Sequence, residues 1–457
     1  MKNVELVVGP SWVYVYGDPG FAKLLDQTLR VKNPQAYWAN KDKHPRAPRM
    51  DEFHRLYDKG VNRFAKGVLS LVIVALQKAG WKCNITQTGI YTPPPDPIFW
   101  PSAFTPWDHQ REAVEGFWAK EFGVMEIPTR GGKAKIGMLA ATRYTNKHPV
   151  AYFVTKLESK EEIIEEWKAD FHQGPVFGDA GDENGLHVMT YMAGMNRDLS
   201  PYRFVIADEV HLTGANGVHD CLMRCDQAWF RLGMTGTSEG RSDNKDIYIT
   251  AAVGPPCYSM PRKTLVEQGL CATATIYMVQ IPGSIDIDGP PNWRKIEEQG
   301  LIDYLPRTSA MVEAALEKWD EGQLLVLVQR MAHGYQFAKL LTEKLGYQVG
   351  FVNGSTKKKE RKKIYEEYKT GKLKVLVASS IFNDSVTFPD VKVLIMAPAG
   401  KSSIGTRQRL GRALTGKKDV VIIDSWDAHH RVLEKHSKAR MRAYGTEGYT
   451  VERLYLA

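Results

Sequence analysis

From Trp107 onward the chain alternates short, wholly apolar stretches with helical ones, and this alternation restricts the fold more than any other feature. Strands are expected at Gly123–Ile127, Val150–Val154, Leu186–Thr190, Phe204–Ala207 and Trp229–Met234. Helices are expected at Asp108–Lys120, from the Gly131-Gly132 turn to about Tyr144, and at Ser159–Phe171. Strands that are apolar on both faces belong in a sheet covered on both sides, and helical crossovers make such a sheet parallel. A second set follows Leu270. Its strands are Thr275–Val279, Leu324–Val328, Gln348–Val352, Leu373–Ala378, Val391–Ala397 and Val420–Ile423. Its helices are Met331–Leu345, a basic helix from Lys357, Ile404–Leu414 and His429–Tyr444, and Pro282–Gln299 reads as irregular. The fold class is therefore α/β, with two tandem parallel-sheet lobes and no internal sequence repeat.

A smaller α+β module precedes the lobes. Strands Val4–Val8, Trp12–Tyr16 and Trp81–Thr86 and helices Phe21–Leu29 and Val68–Lys78 surround a polar, basic loop, Asn33–Arg49. That loop suits a phosphate backbone or a solvated surface equally. Six prolines between Pro93 and Pro106 stop any helix and mark a boundary. The expected division is 1–90 accessory module, 91–106 linker, 107–272 first lobe and 273–457 second lobe.

Composition narrows the function classes. The 457 residues carry a net charge of +9, which allows a polyanionic partner without naming one. The five cysteines are sparse and lack paired CxxC spacing, which suits reduced thiols in a cytoplasmic protein. Cys221 and Cys225 share one helix face without a second ligand pair. The longest apolar run, Val68–Leu76, is too short for a bilayer, and the first residues do not read as a signal peptide.

Two stretches carry chemistry. The strand Phe204–Ala207 ends in Asp208-Glu209-Val210-His211. One carboxylate there suits Mg²⁺ and the other an attacking water; a surface acidic turn is the plain alternative. About 75 residues upstream, a strand runs into Pro128-Thr129-Arg130-Gly131-Gly132-Lys133-Ala134 and then a helix. Glycines let backbone N–H groups approach phosphate oxygens, the helix start favours negative charge, and Lys133 reaches the outer phosphates.

The order of motifs resembles the DExH helicases of superfamily 2, over about Trp107 to the C-terminus. Trp107-Asp108-His109-Gln110 is similar to the adenine-reading segment, and Ile127–Ala134 to motif I. Phe153–Lys156 and Met189-Thr190-Tyr191 stand where motifs Ia and Ib lie. Asp208–His211 matches motif II, Thr235-Gly236-Thr237 motif III, and Leu324–Gln329 resembles motif IV. Val377–Ser380 with Phe382-Asn383-Asp384 resembles motif V, and Gln408–Arg412 motif VI. Within the superfamily, the tail from Leu433–Arg440 to Gly448-Tyr449 and the small leading module look like branched-DNA helicases of the UvsW, RecG and XPB kind, found in phage and repair systems.

The resemblance implies two RecA-like lobes and an ATP-dependent DNA helicase that remodels forks or junctions, with ATP and Mg²⁺ as its requirements. Branched DNA is the implied partner, with no membrane and no obligate protein partner evident. It assigns Lys133, Asp208, Glu209, Gln408 and Arg412 to catalysis, with Asp208 holding Mg²⁺. Gln110, Thr129, Arg130, Gly131, Gly132, Lys133 and Ala134 would bind ATP. His211, Thr235 and Thr237 would couple hydrolysis to lobe closure. Thr190, Thr356, Lys357 and Ser379 would meet DNA, while the run Lys357–Lys363 reads equally as a solvated helix face. Four positions depart from the pattern. Arg130 replaces a common glycine, Ala134 replaces a hydroxyl that ligates Mg²⁺, and Thr387 and Thr415 replace an acid and an arginine in lobe 2. Ala134, Thr387 and Thr415 motivate one alternative, a helicase-fold DNA scaffold with weakened turnover; an RNA remodeller is a third reading, against which the tail and the leading module stand.

Overall fold

The computed structural model describes residues 2–41, 48–171, 173–214, 217–236, 244–271, 273–287, 292–379, 388, 391–400 and 419–456. They form two compact units, Met1–Met260 and Pro261–Ala457.

The first unit begins with β1 (Lys2–Val8), β2 (Trp12–Gly17), β3 (Arg30–Lys32), β4 (Phe53–Arg55), β5 (Tyr57–Asp58), β6 (Arg63–Ala65) and β7 (Trp81–Gln87). Five of them make a mixed sheet in the order β5-β6-β2-β1-β7. Val4, Leu6 and Val8 of β1 and Val13 and Val15 of β2 alternate with more exposed neighbours, so this sheet has one buried face. The Asn33–Arg49 stretch corrects the sequence reading of a loop. A helix runs over Pro34–Lys41, started by Asn33, whose Oδ1 accepts the Gln35 N–H at 3.1 Å. Asparagine ahead of proline is a helix-start signal that the many basic residues obscured.

The larger sheet of this unit comprises β8 (Phe122–Glu126), β9 (Pro149–Val154), β10 (Val176–Phe177), β11 (Gly185–Thr190), β12 (Phe204–Asp208), β13 (Phe230–Thr235) and β14 (Pro256–Ser259). It is parallel throughout, in the order β10-β11-β9-β12-β13-β8-β14. Every residue of β9 and β13 is buried, as strands covered by helices on both faces must be.

Small module and large sheet share one continuous apolar core, running from Val4 and Leu6 through Val72 to Val205 and Val253. Arg231, the second residue of β13, fastens them. It is fully buried and donates to the carbonyls of Leu222 at 2.8 Å, Ala252 at 3.1 Å and Cys225 at 2.6 Å, and to the Ser11 hydroxyl of the module. Burial without a carboxylate within bonding reach pulls its guanidinium down to about 10. The proline-rich connector is also held down. Arg143 Nε donates to the Asp96 carbonyl at 2.8 Å, and Ile98, Trp100 and Phe104 pack on the sheet's core.

The second unit repeats the arrangement with β15 (Ala274–Gln280), β16 (Gln323–Val328), β17 (Gly350–Val352), β18 (Val375–Ser379), β19 (Val391–Met396), β20 (Val420–Trp426) and β21 (Thr450–Leu454). Its parallel order is β17-β18-β16-β19-β20-β15-β21. Counting strands within each lobe, both sheets read 3-4-2-5-6-1-7. The repeat lies in topology and not in sequence, since a buried strand needs apolar residues but no particular ones. Helix Leu305–Glu317 and edge strands β14 and β21 are additions to the sequence reading. The stretch read as irregular includes a short helix, Trp293–Glu297, capped by Asn292.

Candidate nucleotide and nucleic-acid site

The carboxyl ends of β8, β12 and β13 lie side by side, because these strands are neighbours in the first lobe's sheet. The loop after β8 leads into helix Lys133–Ala141, with Gly132 at its start in the left-handed region, φ 75°. A Cβ on Gly132 would lie 2.2 Å from Gln110 Nε2, and one on Gly131 would lie 2.2 Å from the Ile127 side chain. A side chain at either place would force Gln110 or Ile127 to move, and at Gly132 it would also meet the left-handed backbone. Arg130 also takes a left-handed backbone, φ 77°, so the position that commonly holds glycine keeps glycine's conformation without the residue. Lys133 Nζ donates to the Ile127 carbonyl at 3.4 Å.

Gln110 supports the loop from behind. It is buried, and its Oε1 accepts the Trp107 N–H at 2.9 Å. His109 adds a bond that the motif reading missed: its Nε2 lies 2.9 Å from the Gly131 carbonyl oxygen. Nothing in the spacing points to it, because the bond depends on how the loop folds back. Lys135 is drawn away from the loop. Its ammonium pairs with Asp170 at 2.7 Å and Glu166 at 3.2 Å and lies over the Phe104 ring. Ala134 packs its methyl against the lobe core.

Asp208 ends β12, and its Oδ1 accepts the N–H of Glu209 at 2.9 Å. Burial first, then the neighbouring Glu209 charge, push the Asp208 carboxyl up to about 7, while Lys133 pulls the other way. Glu209 adopts φ 50° and keeps about a third of its side chain exposed. His211 Nδ1 sits 3.1 Å from Glu209 Oε2 and 3.2 Å from the Thr235 hydroxyl at the end of β13. The structure thus brings together Lys133, Asp208, Glu209, His211 and Thr235. A carboxyl raised by burial and by a second carboxylate is one that a cation would relieve. Mg²⁺ takes one or two protein carboxylates with water and phosphate oxygens, so these residues suit it.

Thr190 ends β11 and caps the turn after it, accepting the Ala193 N–H at 3.2 Å. In the second unit, Thr356 accepts the Asn353 N–H at 3.1 Å, and exposed Lys357 precedes helix Lys358–Lys369. Ser379 differs from these, because it is buried at the end of β18. Thr237, Thr387, Gln408, Arg412 and Thr415 lie outside the described residues, as do Phe382, Asn383 and Asp384. Cys221 and Cys225 are buried, which pushes both thiols up to about 12.

Two parallel-sheet lobes of one strand order, the first with a glycine loop beside an acidic strand end, define the RecA-like fold class. Residues 307–416 match the family described as "Helicase conserved C-terminal domain". In sequence the chain is 27% identical over 372 residues to a "DNA 3'-5' helicase XPB" of Mycobacterium tuberculosis, covering 75% of this chain and 64% of that protein. It is 24% identical over 363 residues to a "DNA 3'-5' translocase XPB2" of Sulfurisphaera tokodaii, covering 69% and 80%. The chain therefore spans less than two thirds of the mycobacterial relative. In fold it is similar to a fragment of an HsdR subunit of a type I restriction enzyme from Vibrio vulnificus, with TM-score 0.57 at 15% identity, covering 77% and 68%. The chain resembles the superfamily 2 helicases, with the XPB proteins as its likeness in sequence.

Proposed function

We propose that the protein is an ATP-dependent DNA helicase or translocase, and that branched DNA such as forks and junctions is its substrate. The observation that carries this reading is the Asp208-Glu209 pair at the end of β12, next to a loop whose two glycines sit hard against the Ile127 and Gln110 side chains. In this reading the loop N–H groups and Lys133 hold the phosphates, and Gln110 with Trp107 forms the corner facing the base. Asp208 would hold Mg²⁺, directly or through water, and bound there the ion would supply charge neutralisation on the phosphates. Glu209 orients the water and takes its proton, with His211 fixing its carboxylate from one side. Gln408 and Arg412 are the second lobe's proposed contribution to the transferring phosphoryl. Thr190 in the first lobe, and Thr356 and Lys357 in the second, are the proposed phosphate contacts on DNA. Ser379 is left out because its side chain is buried.

Steady-state hydrolysis and nucleotide binding test the assignment together. Glu209→Gln keeps the shape but cannot accept the proton. It should lower turnover by about 10²- to 10⁴-fold and leave ATP affinity in place. Lys133→Ala should remove hydrolysis while duplex affinity persists. Unchanged turnover in both variants overturns the reading and favours a DNA-binding scaffold.

A further inference from the structure

The peptide unit joining Asp208 to Glu209 is gripped at both poles. Its N–H is accepted by Asp208 Oδ1 at 2.9 Å. Its carbonyl oxygen accepts the hydroxyl of Tyr191 at 2.7 Å. A peptide unit is planar, so two bonds on opposite edges stop it from turning. That plane is one side of the N–Cα torsion of Glu209, whose φ is +50°, where side chains other than glycine's are rarely found. The aim of the Glu209 carboxylate therefore depends on a tyrosine 18 positions upstream (191 against 209).

Tyr191 is itself fixed on its other side. It is buried and stacks on Phe153, with ring centroids 5.5 Å apart and an interplanar angle of 12°. It opens the short turn Tyr191–Gly194, which Thr190 caps through its hydroxyl. Gly194 closes the turn so tightly that a Cβ there would approach Phe153 to 2.6 Å and the Cys221 sulfur to 3.0 Å. The turn cannot shift without carrying the tyrosine ring with it. One residue thus joins the proposed DNA contact, Thr190, to the backbone of the acidic pair.

We propose that Tyr191 is a positioning residue that transmits DNA contact at Thr190 to Glu209 through the Asp208 carbonyl. The inference rests on the proposed function and adds to it the route of DNA stimulation. A phosphate drawn onto Thr190 displaces the capped turn. The phenol follows, the peptide plane rotates, and the Glu209 carboxylate comes into line with the attacking water. The hydroxyl is the linking atom, and the ring only fills space.

Tyr191→Phe in the full chain removes that atom and keeps the ring. ATP turnover is measured over a range of ATP concentrations with and without duplex DNA. The ratio of DNA-stimulated to DNA-free turnover should fall about fivefold to tenfold, the effect of losing one well-placed hydrogen bond. KM for ATP and duplex affinity should move less than about twofold, since neither ligand meets the phenol. Tyr144→Phe is the control: it loses a buried phenol bond to the Thr92 carbonyl in the same lobe, and should keep the wild-type ratio. A wild-type ratio in Tyr191→Phe, or an equal fall in Tyr144→Phe, overturns the relay and leaves the proposed function standing. Absence of hydrolysis in the wild-type protein overturns both.

Discussion

At the carboxyl edge of the first lobe's sheet Asp208 lies beside Glu209, and burial pushes it up to about 7. At the same edge of the second lobe's sheet Asp427 is fully buried, yet it stays below the ordinary carboxylate range. Burial alone would raise it, but the Arg307 and Arg440 guanidiniums more than offset that. Arg307 Nε donates to Asp427 Oδ1 at 2.8 Å, and Arg440 Nε to Asp424 Oδ2 at 2.8 Å. Ser425, Ser437 and Tyr444 supply further hydrogen bonds to the two carboxylates. Two sheets with one strand order thus push a half-buried acid and a fully buried one in opposite directions. Lobe 2 compensates its charge within the fold. In lobe 1 His211 lies against the Glu209 carboxylate and Lys133 pulls Asp208 down, yet burial and the Glu209 charge prevail at Asp208.

The largest expected effect lies in lobe 2. Arg307→Met should cost about 3–5 kcal/mol of stability, because it strands a buried carboxylate. Urea unfolding of the Arg307→Met and Arg307→Met/Asp427→Leu variants checks it, and the double variant should recover much of the loss. A cost under about 1 kcal/mol would mean that the network is not compensating charge.

The opposite outcome is expected in lobe 1. Asp208 has a folded value above its unfolded one, so the native state binds the extra proton between about pH 4 and pH 7. Stability from this group therefore falls as pH rises through that window. Asp427 behaves in reverse, and its contribution is lost only as pH falls below the ordinary carboxylate range. Asp208→Asn should make the ligand-free protein about 1–2 kcal/mol more stable at pH 8, with the gain vanishing near pH 4, and should remove ATP hydrolysis. Thermal melts at the two pH values read it. A destabilising Asp208→Asn would erase the contrast between the lobes.

The smallest effect concerns Ala134. Lys135 is committed to Asp170 and Glu166 and does not compensate the loop. A bound Mg²⁺ would then find no side-chain hydroxyl at position 134, and water would supply that ligand. Ala134→Ser should lower the Mg²⁺ concentration for half-maximal hydrolysis by about twofold to fivefold, with DNA affinity unchanged. Superimposable Mg²⁺ titrations would show that the missing hydroxyl does not set turnover.

The sequence alone determined the two parallel lobes, the glycine loop and the acidic strand end. Each of these depends on local rules: buried strands are apolar throughout, phosphate loops need glycine, and site residues cluster at strand ends. It missed the Pro34–Lys41 helix, where a two-residue start signal was outweighed by charge. It also missed β14 and β21, edge strands without a long apolar run. Only the tertiary structure decided which carboxylates are compensated. Arg307 and Asp427 stand 120 positions apart, and no spacing joins them. The same holds for Ser11 with Arg231, for His109 with Gly131, and for Tyr191 with the Asp208 carbonyl. Hydrogen bonds to backbone atoms, as at His109 and Tyr191, leave no mark on the partner's residue type, and side chains paired across a hundred or more positions leave no spacing to read. They exist only once the strands are in register and the sheet has placed its carboxyl ends together.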